Sequence, residues 1–357
     1  MRKILLASTA LVAMTSASAM AADITISGGF ELGYNSEADA ADGTAITSET
    51  DWNVKFTNTT DSGITTSLNY GFDESGGVDD QNYSISGDFG TFAVANSKDG
   101  DDSAVDALDI EADTVAENTT FVSHTSTLGS DYNGEWGTRL SSSAKGTSAS
   151  GDSLSYTLPS LVDGLTVAVS HQNETGLETT AYGAKYSMGP ATIAAAKVKG
   201  ALDPIAAKTH GDGVAGNAAS SHQDIEGTHM GLSVVVAGLT AEYAVNKYEL
   251  TFGATATAAG TTSEGKGTRM GLSYAMGDLT LGYESVSAEW DGDASGVPTA
   301  GETVYDTYKY DAVGAAYAVA EGITAKLALT EADIQNGDDQ SKMDDYSTTR
   351  VSVSVAF

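Results

Sequence analysis

A period of two governs this chain. In residues 23–34, Ile24, Ile26, Phe30, Leu32 and Tyr34 share one parity, while Thr25, Ser27, Gly29 and Glu31 hold the other. Such alternation makes a strand with one apolar and one polar face, and a helical period of 3.6 does not fit it. The pattern recurs in Trp52, Val54 and Phe56 against Asn53, Lys55 and Thr57, then in Leu68, Tyr70 and Phe72 against Ser67 and Asn69. It continues to the closing Val351, Val353, Val355 and Phe357. About sixteen such segments can be traced, an even number of the kind that bacterial outer-membrane barrels use.

The connections alternate in length. Thr59-Thr60-Asp61-Ser62-Gly63, Gly87-Asp88-Phe89-Gly90, Ala237-Gly238, Gly277-Asp278 and Ala320-Glu321-Gly322 are tight turns built from the usual turn formers. Long acidic or Gly-rich connections over residues 71–81, 200–224, 291–303 and 335–345 fall between the turns. A soluble sandwich has no reason to segregate loop length by end. A membrane barrel does, with short periplasmic turns and longer external loops. The expected fold is therefore an all-β, transmembrane antiparallel β-barrel.

Composition bears on compartment and partners. Residues 1–21 start with Arg2-Lys3, run through a short apolar core and end in Ala19-Met20-Ala21, with Ala17-Ser18-Ala19 as a competing cleavage site. This reads as a secretory signal peptide, too short for a membrane helix. Residues 22–357 are then one barrel domain. The net charge of −32 argues against nucleic acid, which needs clustered Lys and Arg, and removal of Arg2 and Lys3 makes the balance more acidic still. There is no cysteine, so no disulfide staples the fold. After residue 21 no run approaches the roughly 18 apolar residues of a membrane helix.

Residues 97–152 form the one long stretch that cannot be a membrane strand. Its first part carries Asp99, Asp101, Asp102, Asp106, Asp109, Glu111, Asp113 and Glu117 against Lys98 alone, and it ends in a Ser/Gly/Ala-rich run. Structureless connections of this length are uncommon in compact domains and are usually functional or disordered. The expectation is an acidic loop folded into the bore of the barrel.

Several segments also resemble a family. Asp51-Trp52 followed by Thr59-Thr60-Asp61-Ser62-Gly63, then Ser86-Gly87-Asp88-Phe89-Gly90-Thr91-Phe92, then Ser153-Leu154-Ser155-Tyr156-Thr157-Leu158-Pro159 are similar to the general diffusion porins of Gram-negative bacteria, in particular their alphaproteobacterial, Rhodobacter-type branch. The resemblance runs from the leader to Phe357. It implies a homotrimer of sixteen-stranded barrels in the outer membrane, with the third external loop folded inward as the constriction. Val353, Val355 and Phe357 resemble the C-terminal signal read by the barrel assembly machinery.

Parity also assigns side chains to faces. With the apolar residues outward, Lys55, Lys185, Arg269, Lys326 and Arg350 fall on the water-facing side. A charge facing lipid near mid-bilayer would cost about 2–4 kcal/mol, which accounts for the parity alone. The sharper expectation is a basic wall opposite the acidic loop, a transverse field that sorts ions at the narrowest point. Tyr34, Trp52, Tyr70 and Phe72 are expected in the interfacial aromatic girdle.

Other motifs carry less. Residues 211–216 match G-x-G-x-x-G but open no helix, which argues against a dinucleotide site. His124, His171, His210, His222 and His229 lack metal-ligand spacing and read as surface residues, so no metal centre is expected. Loop-bound calcium at residues 99–102 or 338–339 is a weaker alternative to solvated carboxylates. No cofactor and no catalysis are expected. The reading is a passive pore for ions and small hydrophilic solutes, cation-selective because of the net charge, seated in outer-membrane lipid. The alternatives are a secreted surface β protein of adhesin or surface-layer type, and a barrel lipase, for which the sequence offers no Ser/His pair at one height.

Overall fold

Sixteen antiparallel strands close on themselves in the computed structural model, which describes residues 23–37, 44–73, 77–97, 105, 108, 110, 151–174, 177–202, 223–252, 262–291, 305–335 and 342–357. They are β1 (Asp23–Glu37), β2 (Thr44–Thr59), β3 (Thr65–Phe72), β4 (Val78–Gly87), β5 (Gly90–Ser97) and β6 (Gly151–Thr157). Next come β7 (Leu165–Glu174), β8 (Leu177–Met188), β9 (Ala191–Leu202), β10 (Gln223–Val236) and β11 (Leu239–Phe252). The last are β12 (Thr262–Met276), β13 (Leu279–Asp291), β14 (Tyr305–Ala320), β15 (Ile323–Gln335) and β16 (Lys342–Ala356). Each pairs with its sequence neighbours, and β1 pairs with β16.

The seam is in register: Phe30 lies opposite Val355, Leu32 opposite Val353 and Tyr34 opposite Val351. Below the ladder, the Gly28 and Phe357 N–H groups each donate to the other's carbonyl, at 3.0 and 2.8 Å. Closure leaves no free edge, and in hydrocarbon every unsatisfied backbone group would cost several kcal/mol. The apolar parity faces outward throughout the barrel. Leu32, Leu154, Leu232, Tyr243, Met270 and Val351 are among the exposed large apolar side chains. Trp52 and Phe72 stack at 4.1 Å on this face, as do Phe92 and Tyr156 at 4.4 Å. The former pair and Tyr70 keep the outward parity expected of girdle residues.

The tight turns expected from the sequence lie at one end, together with Asp23 and Phe357. Ala237 and Gly238 both have positive φ, 50° and 83°, as the type I′ hairpin requires to match the strand twist. Glycine takes this conformation freely, whereas the alanine methyl opposes it.

The strands run further than the apolar alternation. β2 starts at Thr44 rather than near Trp52, and β16 at Lys342 inside the expected 335–345 connection. The hydrogen-bond ladder continues above the hydrocarbon, where the outward side chains no longer need to be apolar. On β9 to β13 the outward parity there carries Lys197, Lys199, Glu226, Lys247, Glu249, Glu264, Lys266 and Glu289. Residues 1–21, the G-x-G-x-x-G stretch and residues 338–339 lie outside the described residues.

Replacing Ala237 by glycine is expected to relieve the turn and to stabilise the barrel by about 1 kcal/mol. The urea unfolding midpoint in detergent micelles should rise; a lower midpoint would show that the turn is not strained.

Candidate functional site: the wall of the bore

The inward parity is divided into two kinds of wall. On β12, β13, β15 and β16 and on β1 and β2 it carries charge among the described residues. On β5 to β10 it is dominated by small residues, among them Ala95, Ser155, Ala168, Ala181, Ala194 and Ala196, all buried. The ends of the 97–152 stretch belong to strands, Ser97 to β5 and Gly151 and Asp152 to β6; between β5 and β6 the described residues are Val105, Leu108 and Ile110, and all three are buried. Val105 and Leu108 form one apolar cluster with Ala168, Ala181, Ala196 and Val198. A methyl group on Gly183 would come 3.2 Å from Leu108 Cδ1, and one on Gly231 would come 2.7 Å from Ile110 Cβ. Small side chains on the wall are thus what gives these three residues a seat.

His229 belongs to the same contact. It is 1% exposed, which corrects its reading as a surface residue. Its parity turns it inward and Ile110 covers it. Its Nδ1 lies 2.6 Å from Asn246 Oδ1, and the Ile110 N–H donates to Nε2 at 3.5 Å. The Asn246 contact fixes Nδ1 as the protonated nitrogen, because the amide oxygen can only accept. His171, by contrast, is on the outer face beside Thr180 Oγ1 at 3.0 Å. Among the described residues no group of three or more His, Cys, Asp or Glu could hold a metal ion.

All five basic residues keep the inward parity that the register assigns them. They do not form one row. Lys185 and Lys326 lie close to the turns at 189–190 and 321–322, whereas Arg269 and Arg350 lie further up their strands. Three of them face carboxylates on the same wall. Glu31 receives Lys326 Nζ at 3.1 Å and Arg350 at 2.5 Å. Arg269 meets Glu284 at 2.8 Å with side chains only 6% and 2% exposed. Lys55 is exposed on β2, beside Asn69 of β3. With Asp23, Glu49, Asp51 and Glu242 also inward, acids and bases nearly balance on the described strand wall. The excess of acid therefore lies in the connections and on the outer rim. Asp99, Asp101, Asp102, Asp106, Asp109, Glu111, Asp113 and Glu117 fall outside the described residues.

Sequence reasoning found the inward bases but missed their partners. Glu31 stood in the polar parity of the first strand, and only the seam of β1 with β16 brings it to Arg350. It also missed the seat for Val105, Leu108 and Ile110. The available signal was an apolar trio inside an acidic block, and a run of strands whose polar parity is reduced to Ala, Ser and Gly.

The profile of the Gram-negative porin family matches residues 7–337. The chain belongs to the Gram-negative porin family. It is accordingly a passive outer-membrane channel rather than an enzyme. No curated protein matches it in sequence. Among solved structures it is similar to OmpT of Vibrio cholerae in its trimer form, at 11% identity and TM-score 0.64, covering 94% of this chain and 100% of that one. It is also similar to an anion-selective porin from Comamonas acidovorans, at 11% identity and TM-score 0.62 with the same coverage. A triple mutant of the Rhodopseudomonas blastica porin shares 16% identity at TM-score 0.53, again over 94% and 100%. At these identities the likeness concerns the fold alone.

The Glu31 cluster makes a testable prediction. Glu31→Gln is expected to move the reversal potential of the porin under a KCl gradient toward Cl⁻. It also leaves Arg350 buried without its carboxylate, a loss of about 3–5 kcal/mol. Adding Arg350→Gln should recover much of that stability in heat-modifiability assays. An unchanged potential in the single variant would exclude Glu31 from the ion path.

Proposed function

We propose that this porin is a homotrimeric, cation-preferring diffusion pore for ions and small hydrophilic solutes, with the acidic stretch of residues 97–152 as its constriction. The observation that carries the reading is the burial of Val105, Leu108 and Ile110 against bore-facing side chains of β7 to β10. In sequence, Asp106, Asp109 and Glu111 alternate with these anchors. Acids interleaved with wall-held anchors are suited to a constriction, where rings of charged side chains set selectivity. The near balance of charge on the strand wall gives the loop acids the deciding weight. The sign is not given by the fold, since a structural neighbour is an anion-selective porin.

A trimer is supported by the trimer form of a neighbour and by the face of β1 to β5, whose described outward side chains carry no charge. Residues 1–21 fit a leader removed on export. The Val353, Val355 and Phe357 parity, with Phe357 exposed beside the seam, fits recognition by the assembly machinery before closure.

Reversal potentials in planar bilayers should have the sign for K⁺ over Cl⁻, and the preference should weaken at high salt as screening sets in. Deleting residues 99–117 should raise single-channel conductance and reduce that preference while the barrel still forms. Chloride preference in the native protein at low salt would refute the selectivity, and unchanged conductance in the deletion would remove the loop from the constriction.

Phe357→Ala separates assembly from packing. Lost apolar burial alone would cost about 1.5–3 kcal/mol and leave yield in cells nearly intact. A recognition role instead requires a collapse of heat-modifiable barrel in outer-membrane fractions, with refolding from urea in detergent largely preserved.

A further inference from the structure

His229 is the one described histidine that faces the bore, and it stands apart from the charged wall. Its cross-strand neighbours are Ala196 on β9 and Asn246 on β11, and Gly227 and Gly231 flank it on its own face of β10. A methyl group on Gly231 would come 3.1 Å from His229 Nε2 and 2.7 Å from Ile110 Cβ. The absent side chain at 231 therefore lets ring and anchor meet. Most of the seat is apolar, with Val105 and Leu108 resting on Ala168, Ala181, Ala196 and Val198. Contact between Ile110 and His229 is its polar part. Of these described seat residues only His229 can change its charge.

That contact requires a neutral ring. With Nδ1–H given to Asn246 Oδ1, Nε2 carries the lone pair that faces the Ile110 N–H. Proton uptake puts N–H on both nitrogens, and Nε2–H then opposes the Ile110 N–H, donor against donor. A buried donor without an acceptor is costly. Neither cross-strand neighbour is a carboxylate that could take the second N–H. Ala194, Ala196 and Val198 on β9 and Gly227 and Gly231 on β10 bring no titratable group. On β11, Glu242 lies two rows toward the turn and receives Ser233 Oγ at 2.9 Å, while Tyr248 holds the position opposite Gly227. Arg269 on β12 stands across from Ala244 and meets Glu284. Asp109 and Glu111 flank Ile110 in sequence and lie outside the described residues.

We propose that His229 is a positioning residue of the pore: as a neutral ring it fixes where Ile110 meets the wall, and on proton uptake it releases that anchor. The wall stands behind Ile110, so an anchor that leaves its seat moves into the bore and narrows it. The narrowing rests on the reading of residues 97–152 as the constriction. The release of Ile110 does not.

The test is amide hydrogen exchange of the whole barrel in detergent micelles, read by mass spectrometry on peptides that span Ile110, with single-channel conductance recorded in parallel. Between about pH 7.5 and about pH 5, where histidine charges, the native protein should lose about tenfold of its protection after correction for the intrinsic exchange rate. H229Q keeps a side-chain oxygen that can accept but cannot titrate, and it should hold its protection across the same range. Loop acids titrate in both proteins, so the difference between the two profiles is what counts. Native conductance should fall relative to that of H229Q as the pH drops. Identical exchange profiles in the two proteins overturn the proposal. Should H229Q fail to assemble, NMR of the native barrel with ring-nitrogen-labelled histidine decides. Protonation of the His229 ring and exposure of the Ile110 amide must then follow one pH curve, and separate curves refute the role. Release of Ile110 at acid pH with no conductance difference upholds His229 as the positioning residue and counts against the constriction instead.

Discussion

Closure of the hydrogen-bond ladder is the condition on which everything else in this porin depends. Hydrocarbon offers no partner to a backbone N–H or C=O, so an open β1 or β16 would leave a row of groups unsatisfied. The pairing of β1 with β16 ends that edge, and the exchange between Gly28 and Phe357 extends it below the last register pair. Closure then fixes parity around the whole ring. A slip of one residue would turn Leu32, Val353 and their neighbours into the bore and the charged wall into lipid. The seam also creates the Glu31 cluster, which joins a carboxylate near one end of the chain to Lys326 and Arg350 near the other.

Once parity is fixed, the wall divides by side-chain size. A bore filled with charge all round would leave no apolar surface for a loop to rest on. Ala168, Ala181, Ala196 and Gly231 are too small to fill the interior themselves, and they offer Val105, Leu108 and Ile110 a surface to bury against. The opposite strands carry the ion pairs. Arg269 and Glu284 are both nearly inaccessible, so each depends on the other: removing one partner of a buried pair is far more costly than the pair is stabilising.

The outer face follows a different rule above the hydrocarbon. There the ladder continues without apolar side chains, and the outward parity becomes a charged belt on β9 to β15, while β1 to β5 show none among their described side chains. Two sides of one barrel thus present different outer surfaces.

By itself the sequence determined what depends on period and loop length. The alternation in residues 23–34 and 351–357 required strands, alternate tight and long connections required a membrane barrel with a fixed orientation, and parity placed Lys55, Lys185, Arg269, Lys326 and Arg350 inward. These are local properties, readable within one strand and its turn. Only the tertiary structure decided which inward groups meet. Glu31 and Arg350 are neighbours because the ring closes, and Arg269 and Glu284 because β12 and β13 share a register. His229 looked like a surface histidine because no local signal reveals that Ile110 lies over it. Strand length above the membrane was also beyond the sequence, since the ladder continues where the solvent no longer demands apolar side chains and the alternation falls silent.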